Sequence, residues 1–247
     1  MPNWSEEGFV ISARLHGESN AVVGLFTPHH GRHLGLVHGG VSKSKKSTIE
    51  IGNLVSAQWH ARLDDQLGTY QLEISRAYSA SLLDDPIKLA ALSSVCSLLE
   101  QALPEREPHE AIYQATSALF EVFYLSSDVE QWLPIYLTWE LGMLDALGFG
   151  LDLSKCAVSG ATDALSYVSP RTGHAVQMAH AGPYKDRLLA LPACLGGRDD
   201  LPNELEAGLA LTGHFLQKRI FALIHKDLPQ PRIRLAYLVT SRYNGEG

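Results

Sequence analysis

The first eighty residues alternate between apolar and polar. Val55, Ala57, Trp59, Ala61 and Leu63 are separated by Ser56, Gln58, His60 and Arg62. Tyr70, Leu72 and Ile74 alternate in the same way with Gln71, Glu73 and Ser75. A period of two describes half-buried strands, one face on a core and the other in water. Three earlier runs, 8–15, 21–26 and 33–37, also read as strands, with Gly17, Pro28 and Gly31 at the breaks. The stretch from Leu63 to Gly68 reads as the hairpin connection between the last two strands. Five short strands within residues 8–75 predict a small barrel.

The period then becomes helical. Asp84-Asp85-Pro86 sets an acidic cap before a proline at the first helical position. Leu89, Leu92, Cys96, Leu99 and Leu103 follow at helical spacing, and Pro104 and Pro108 interrupt the chain. A second helix is predicted over 110–125 and a third over 132–147. The third carries only Glu140 and Asp145 as charges, so it belongs in a core. Gly148 and Gly150 end it. Residues 151–200 are rich in Gly, Ser, Pro and Ala without a clear period, which predicts a loop-rich insert with at most a short hairpin. Asn203 with Glu206 resembles a capping box. Leu205, Leu209, Leu216, Ile220 and Leu223 form the face of the helix that follows, and a last helix spans 232–242. The expected class is therefore α+β, with a barrel domain at 1–80 and a helical domain at 81–247.

Composition narrows the function classes. Cys96, Cys156 and Cys194 are odd in number and far apart, so no disulfide framework is expected and a reducing compartment fits. The N-terminus lacks the basic start and apolar stretch of a signal peptide, and no apolar run is long enough to span a bilayer. A cytoplasmic protein with no membrane partner is expected. The formal net charge is −7, which taken alone argues against nucleic acid. Residues 1–80 hold seven Lys/Arg and seven Asp/Glu, so the whole excess of acid lies in 81–247. Between Glu18 and Glu50 there is no acid at all, only Arg32, Lys43, Lys45 and Lys46 with His29, His30, His33 and His38. A local positive field can exist on an acidic protein.

Motifs for covalent chemistry are missing. Gly39-Gly40-Val41-Ser42-Lys43-Ser44-Lys45 lacks the spacing of a nucleotide-hydrolysing phosphate loop. His109-Glu110 has no second histidine four residues on, and no Gly-x-Ser-x-Gly appears. The carboxylate pairs 64–65, 84–85 and 199–200 sit at predicted turns or caps and read as solvated acids. The best site candidate is the stretch 39–47, read as a flexible basic loop. Its amides, hydroxyls and ammonium groups suit a phosphate backbone, although an ordinary solvated Lys-rich loop has the same composition. Trp59 reads as core, whereas Trp4, Phe9 and Phe26 are open as base-stacking residues. Cys156 with Ser159 looks like half a zinc knuckle without its second thiol. A metal-dependent hydrolase using Cys156, His174, His180 and Asp186 is the weakest of the alternatives.

These residues together resemble the recombination protein O (RecO) family along most of the chain. The similar stretches are Leu15-His16-Gly17-Glu18-Ser19-Asn20 with Leu25-Phe26-Thr27 and Gly31, the loop from Gly39 to Ser44, and Trp139-Glu140-Leu141 with Leu144, Leu147, Gly148 and Phe149. Further on they are Cys156-Ala157-Val158-Ser159-Gly160, Tyr167 to Gly173, His214-Phe215-Leu216, and Pro231-Arg232-x-Arg234-Leu235. Their order and spacing over residues 8–240 carry the resemblance. It implies a five-stranded OB-fold barrel followed by a helical domain with a zinc-finger-like insert at about 151–200. It also implies binding of single- and double-stranded DNA and annealing of complementary strands. The implied partners are RecR and the acidic C-terminal tail of single-stranded DNA-binding protein, with RecA served indirectly.

Arg14, Arg32, Lys43, Lys45 and Lys46 are the expected DNA contacts, and Lys185, Arg187, Lys218 and Arg219 are candidate partner contacts. Family members with the full finger have four cysteines, and only Cys156 remains here in that pattern. The finger is therefore read as degenerate, with no metal and no cofactor. Some members carry arginine just before the aromatic-Glu pair of the central helix, where this chain has Thr138. An RNA-binding or ribosome-associated OB protein is the alternative from another class.

Overall fold

In a computed structural model of the chain, the structure describes residues 2–63, 65–198, 201, 203–243 and 245. Asp64, Asp199 and Asp200, from two of the predicted turn pairs, lie outside the described residues. The chain divides into two compact units, Met1–Leu125 and Ser126–Gly247.

The first unit contains β1 (Asn3–His16), β2 (Asn20–Thr27), β3 (Gly31–Val37), α1 (Lys43–Thr48), β4 (Leu54–His60), β5 (Thr69–Arg76), α2 (Tyr78–Ser81), α3 (Pro86–Ala102) and α4 (Glu110–Leu125). The five strands close into a barrel in the order β1-β2-β3-β5-β4. With α1 between β3 and β4, this is an OB-fold arrangement. β1 is long because it serves two partners, pairing with β4 over Asn3–Phe9 and with β2 over Phe9–His16. A bulge between Val10 and Ser12 bends it where it changes partner. The inward side chains include Val10, Val23, Leu25, Val55, Ala57, Trp59 and Tyr70.

Alternation breaks where helices cover the outside of the barrel. Phe9, Val10 and Ile11 are all buried, although successive side chains of a strand point to opposite faces. The Phe9 ring lies 4.9 Å from Phe120 and 5.4 Å from Tyr113, and Phe26 lies 5.7 Å from Tyr113, all centroid to centroid. The carboxylate of Glu121 accepts from both Arg76 and Tyr78, which joins the end of β5 to α4. The link between α3 and α4 runs along β3. There Arg32 Nε donates to the Leu103 carbonyl at 2.9 Å, and the Arg106 N–H donates to the Arg32 carbonyl at 2.8 Å. Arg106 Nη2 also donates to the Gln66 carbonyl at 2.9 Å. Gly31, at φ +60°, meets this strap so closely that a Cβ would stand 2.0 Å from the Glu107 carbonyl oxygen.

The segment read as a flexible loop is in part helix. Ser42 precedes α1, the Lys46 N–H donates to the Ser42 carbonyl at 2.8 Å, and the Ile49 N–H to that of Lys45 at 3.0 Å. Six residues with three lysines show no apolar period, so sequence alone gives no sign of this turn of helix. Ile49, just past its end, is buried in the barrel core. Asn53 fixes it from below. Its fully buried amide donates to the Ser47 carbonyl at 2.8 Å and accepts from the Ser79 hydroxyl at 3.1 Å. Its backbone carbonyl accepts from Val10 N–H at 2.9 Å.

The second unit contains α5 (Val129–Ala146), β6 (Asp152–Cys156), β7 (Leu165–Val168), β8 (His174–Gln177), α6 (Met178–Ala181), β9 (Leu189–Ala190), α7 (Glu204–Arg219) and α8 (Gln230–Tyr243). Asp128 caps α5 by accepting from the Glu130 N–H at 3.0 Å, so the helix starts earlier than its apolar run. The region expected to be loop is a small sheet in the order β6-β8-β7-β9. Its strands are too short to show a period. The expected capping box does not form: the Asn203 side chain makes no cap bond, and Glu204 instead accepts from the Ala193 N–H at 2.8 Å. Leu223, expected on the face of α7, lies beyond the end of that helix in a short 3-10 turn and is exposed.

An ion pair joins α5, α7 and α8. Glu140 and Arg232 are 0% and 2% exposed. Arg232 Nε donates to Glu140 Oε1 at 2.5 Å, and Nη2 to Oε2 at 3.1 Å and to the Leu209 carbonyl at 2.8 Å. The Tyr136 hydroxyl donates to Oε1 at 2.7 Å and the Thr212 hydroxyl to Oε2 at 2.6 Å. Each carboxylate oxygen thus has two donors, and this saturation makes the burial tolerable.

Two stability predictions follow from these contacts. A chain ending after residue 80 uncovers Phe9 and Phe26, each worth about 1.5–3 kcal/mol of burial. In urea titrations monitored by circular dichroism, residues 1–125 are expected to unfold cooperatively and residues 1–80 are not. Arg232→Met leaves the Glu140 charge buried and is expected to cost about 3–5 kcal/mol. The double change Glu140→Leu/Arg232→Met is expected to regain most of that loss, measured by the same titration.

Candidate nucleic-acid interface

The three lysines of α1 are set by helical geometry. Lys43 and Lys46 are three residues apart and share a face, whereas Lys45 projects to another side with Thr48. Lys45 and Thr48 line a groove of about 530 Å³, shared with His38 and with Ser56, Gln58, His60, Gln71 and Glu73 of β4 and β5. Lys45 Nζ donates to the His38 carbonyl at 2.6 Å. Lys46 lines a second, more apolar groove of about 400 Å³ with Arg14, Leu15, Val41, Glu50 and Ile51. Lys43, Ser44, Lys46 and Ser47 lie along an open surface that ends at Glu50. The turn leading into α1 is tied to the β1–β2 connection, because the Gly39 N–H donates to Asn20 Oδ1 at 3.1 Å and the Val41 N–H to the Ser19 carbonyl at 3.3 Å.

The structure brings Arg14 together with Lys46 and separates Arg32 from the set. Arg14 is 77% exposed and pairs with Glu100 at 2.5 Å. Arg32 is largely buried in its bonds to the strap, with Glu105 at 3.3 Å. His33 adds no charge at neutral pH: burial pushes its pKa down to about 4, with Arg106 and His30 acting in the same direction.

None of Trp4, Phe9, Phe26 and Trp59 gives an open stacking platform. Trp59 is core, as expected, and its indole N–H donates to the Leu67 carbonyl at 3.0 Å. Phe9 and Phe26 are fully buried under α4 and are removed as stacking candidates. Trp4 is stacked on His30 at 4.4 Å. On the outward side of β3, Leu34 and Leu36 are half-buried aliphatics. Charged and hydrogen-bonding groups, rather than these four rings, are what the barrel surface exposes around α1.

In the second unit the four candidate cations differ. Lys185 and Arg187 are exposed on the 3-10 turn Gly182–Arg187. Lys218 Nζ donates to the Pro170 carbonyl at 2.6 Å. Arg219 is an internal tie, donating to the carbonyls of Phe149 (2.9 Å), Gly150 (3.1 Å) and Thr172 (2.6 Å) while covering the Phe215 ring.

The finger-like insert does not fit zinc. Cys156 is buried, and its sulfur accepts from the Gln177 N–H at 3.4 Å. Gln177 also accepts from the Ser159 hydroxyl at 2.7 Å and donates to the Asp163 carbonyl at 2.9 Å. Amide and hydroxyl groups thus hold the knuckle, and they are poor ligands for zinc. Among the described residues no three His, Cys, Asp or Glu side chains stand together as a metal site, so Cys156, His174, His180 and Asp186 form no hydrolytic centre. Among the described residues no helix is long and apolar enough to cross a membrane.

Sequence reasoning missed Asn53 and Arg106. Each acts through tertiary contacts, and neither stands in a motif. The only local sign of Asn53 is a polar residue directly before an alternating strand.

Comparison with known proteins places this geometry in a family. Residues 1–78 match the model described as recombination protein O N terminal, and residues 83–229 match recombination protein O C terminal. The chain is 53% identical to the DNA repair protein RecO of Rhodospirillum centenum over 234 residues, covering 94% of this chain and 92% of that one. It is 46% identical to the DNA repair protein RecO of Hyphomonas neptunium, covering 96% and 98%, and 42% identical to that of Cereibacter sphaeroides, covering 97% and 99%. The chain belongs to the recombination protein O family.

Proposed function

We propose that this protein is a non-enzymatic recombination mediator in DNA repair, binding single- and double-stranded DNA through the lysines of α1 and annealing complementary strands. It works in the cytoplasm beside the nucleoid. Its partners in this reading are RecR and the acidic tail of single-stranded DNA-binding protein, and its action helps RecA onto coated strands at gaps. The observation that carries the reading is α1, which holds three lysines on a closed barrel within an acid-free stretch of sequence.

Annealing needs no bond to be broken. What opposes it is repulsion between two phosphate backbones and the protein coat on each strand. Fixed ammonium groups reduce the repulsion by replacing condensed counterions. A docking contact with the coating protein raises the mediator's local concentration on the strand. Lys185 and Arg187 are the exposed cations of the second unit that suit an acidic tail. Lys218 and Arg219 already hold backbone carbonyls, and their part in docking is the weaker proposal.

The test is annealing of complementary oligonucleotides precoated with cognate single-stranded DNA-binding protein, without ATP. The wild-type protein is expected to anneal them rapidly and a Lys43/Lys45/Lys46→Ala variant is not. The slope of log affinity against log salt for a single strand is expected at about −2 to −3, from three or four neutralised phosphates. A flat salt response, or tighter binding to structured RNA with no annealing, would replace this reading with an RNA-binding one.

A further inference from the structure

The lysines of α1 are not one patch. Helical spacing turns Lys45 and Thr48 towards the groove against β4 and β5, and turns Lys43 and Lys46 towards the opposite flank, beside Arg14. The two flanks also differ in chemistry. The Lys45 groove is lined by hydroxyls, carboxamides and imidazoles from Thr48, Ser56, Gln58, His60 and Gln71. These groups donate and accept hydrogen bonds, as the edges of unpaired bases require. The other flank has two lysines and Arg14 above an apolar floor, with Glu50 in its lining and Glu100 paired to Arg14 at 2.5 Å. It offers point charges to phosphates and little to a base edge.

The wall between the flanks is anchored to the barrel. Ile49 roots α1 in the barrel core, and the Asn53 amide holds its last carbonyls from inside. Resting on the DNA-binding reading above, the geometry points to α1 as a septum with a separate single-strand site on each side. The Lys45 groove takes the bases of one strand, and the Lys43–Lys46 flank takes the backbone of another. One chain would then hold two strands side by side with cations between them. This lowers the repulsion that opposes pairing, and it presents one strand's backbone-held, solvent-facing bases to the other strand.

The test uses the full-length chain and a non-pairing dT oligonucleotide of about eight nucleotides, within the site sizes usual for such barrels. Titration under stoichiometric conditions counts strands per chain, whatever the oligomeric state. Two strands per wild-type chain are expected. Lys45→Ala/Gln58→Ala is expected to bind one, and Lys43→Ala/Lys46→Ala is expected to bind one. Each variant should keep its remaining strand while losing annealing, with some loss of affinity for that strand, because Lys45 and Lys46 are neighbours on one short helix and lie within the screening length at about 0.15 M salt.

One strand per wild-type chain would overturn the septum and leave the mediator reading standing. So would an equal loss of affinity for a single site in both variants, which is the behaviour of one continuous patch. A wild-type chain that binds no DNA would remove both readings. Circular dichroism on each variant separates a lost site from a lost fold.

Discussion

The Asn53 side chain is the interaction on which the candidate site depends. Asn53 is fully buried between three parts of the chain that are distant from one another in sequence: its backbone carbonyl accepts from the Val10 N–H of β1, its amide donates to the carbonyls of Ser47 and Thr48 in α1, and its side-chain oxygen accepts from the Ser79 hydroxyl of α2. A buried amide with an unmet donor or acceptor costs about 1–3 kcal/mol, so these partners must come together if the barrel is to close. The site is built as a by-product. Satisfying Asn53 fixes the last turn of α1, and that turn sets the direction of every lysine on it. A free loop of the same composition would have to be ordered by the ligand, at roughly 1–2 kcal/mol of backbone entropy per residue. Here the folded barrel has already ordered it.

The same economy explains the helices on the barrel. A five-stranded barrel of this size has little interior, and its outer face carries Phe9 and Phe26. α3 and α4 bury that face, so barrel and helices form one compact unit although the sequence changes period near residue 80. The link between the two helices is then tied down by Arg32, which donates to the Leu103 carbonyl, and by Arg106, which donates to the carbonyls of Arg32 and Gln66. A cation that looks available in the sequence is thus withdrawn from any ligand. The positive field is left to α1 and to Arg14, which pairs with Glu100; among the described residues no backbone acceptor holds Lys43 or Lys46.

What was legible in the sequence follows the range of the interaction that decides it. Strands β4 and β5 were readable because one face is in water, and α3 because Asp85 caps it and Pro86 opens it, both local effects. β1 was readable only in part. Its outer face is buried under helices, which removes alternation over Phe9 to Ile11. α1 was not readable as a helix, because Ile49 and Asn53 hold it in place and both lie beyond its end. The small sheet of the insert has no periodic signature in the sequence because β7, β8 and β9 are short and pair across loops. For the site, residue type pointed to Lys43, Lys45 and Lys46, but whether each stood free, and on which side, needed the fold. Arg32 shows the limit: its charge is plain in the sequence, and its bond to Leu103, 71 residues away, is not.

The net charge of −7 is part of the design rather than an obstacle to it. Screening confines exposed charges to about 8 Å at physiological ionic strength, so acids elsewhere on the chain do not cancel the field around α1. They do raise the cost of nonspecific adhesion to a polyanion. Within the site Glu73 lies in the Lys45 groove, Glu50 lies beside Lys43 and Lys46, and Glu100 pairs with Arg14. A protein that keeps strands apart could afford to bind them as tightly as its lysines allow. A protein that pairs strands must release the duplex, whose charge density exceeds that of either strand and whose base edges are no longer offered. A groove that hydrogen-bonds unpaired bases loses those bonds when the strands pair, and a carboxylate at its edge limits what the phosphates alone can hold. Binding divided between two flanks and partly base-dependent, as proposed for α1, is thus the form that suits annealing without an energy source.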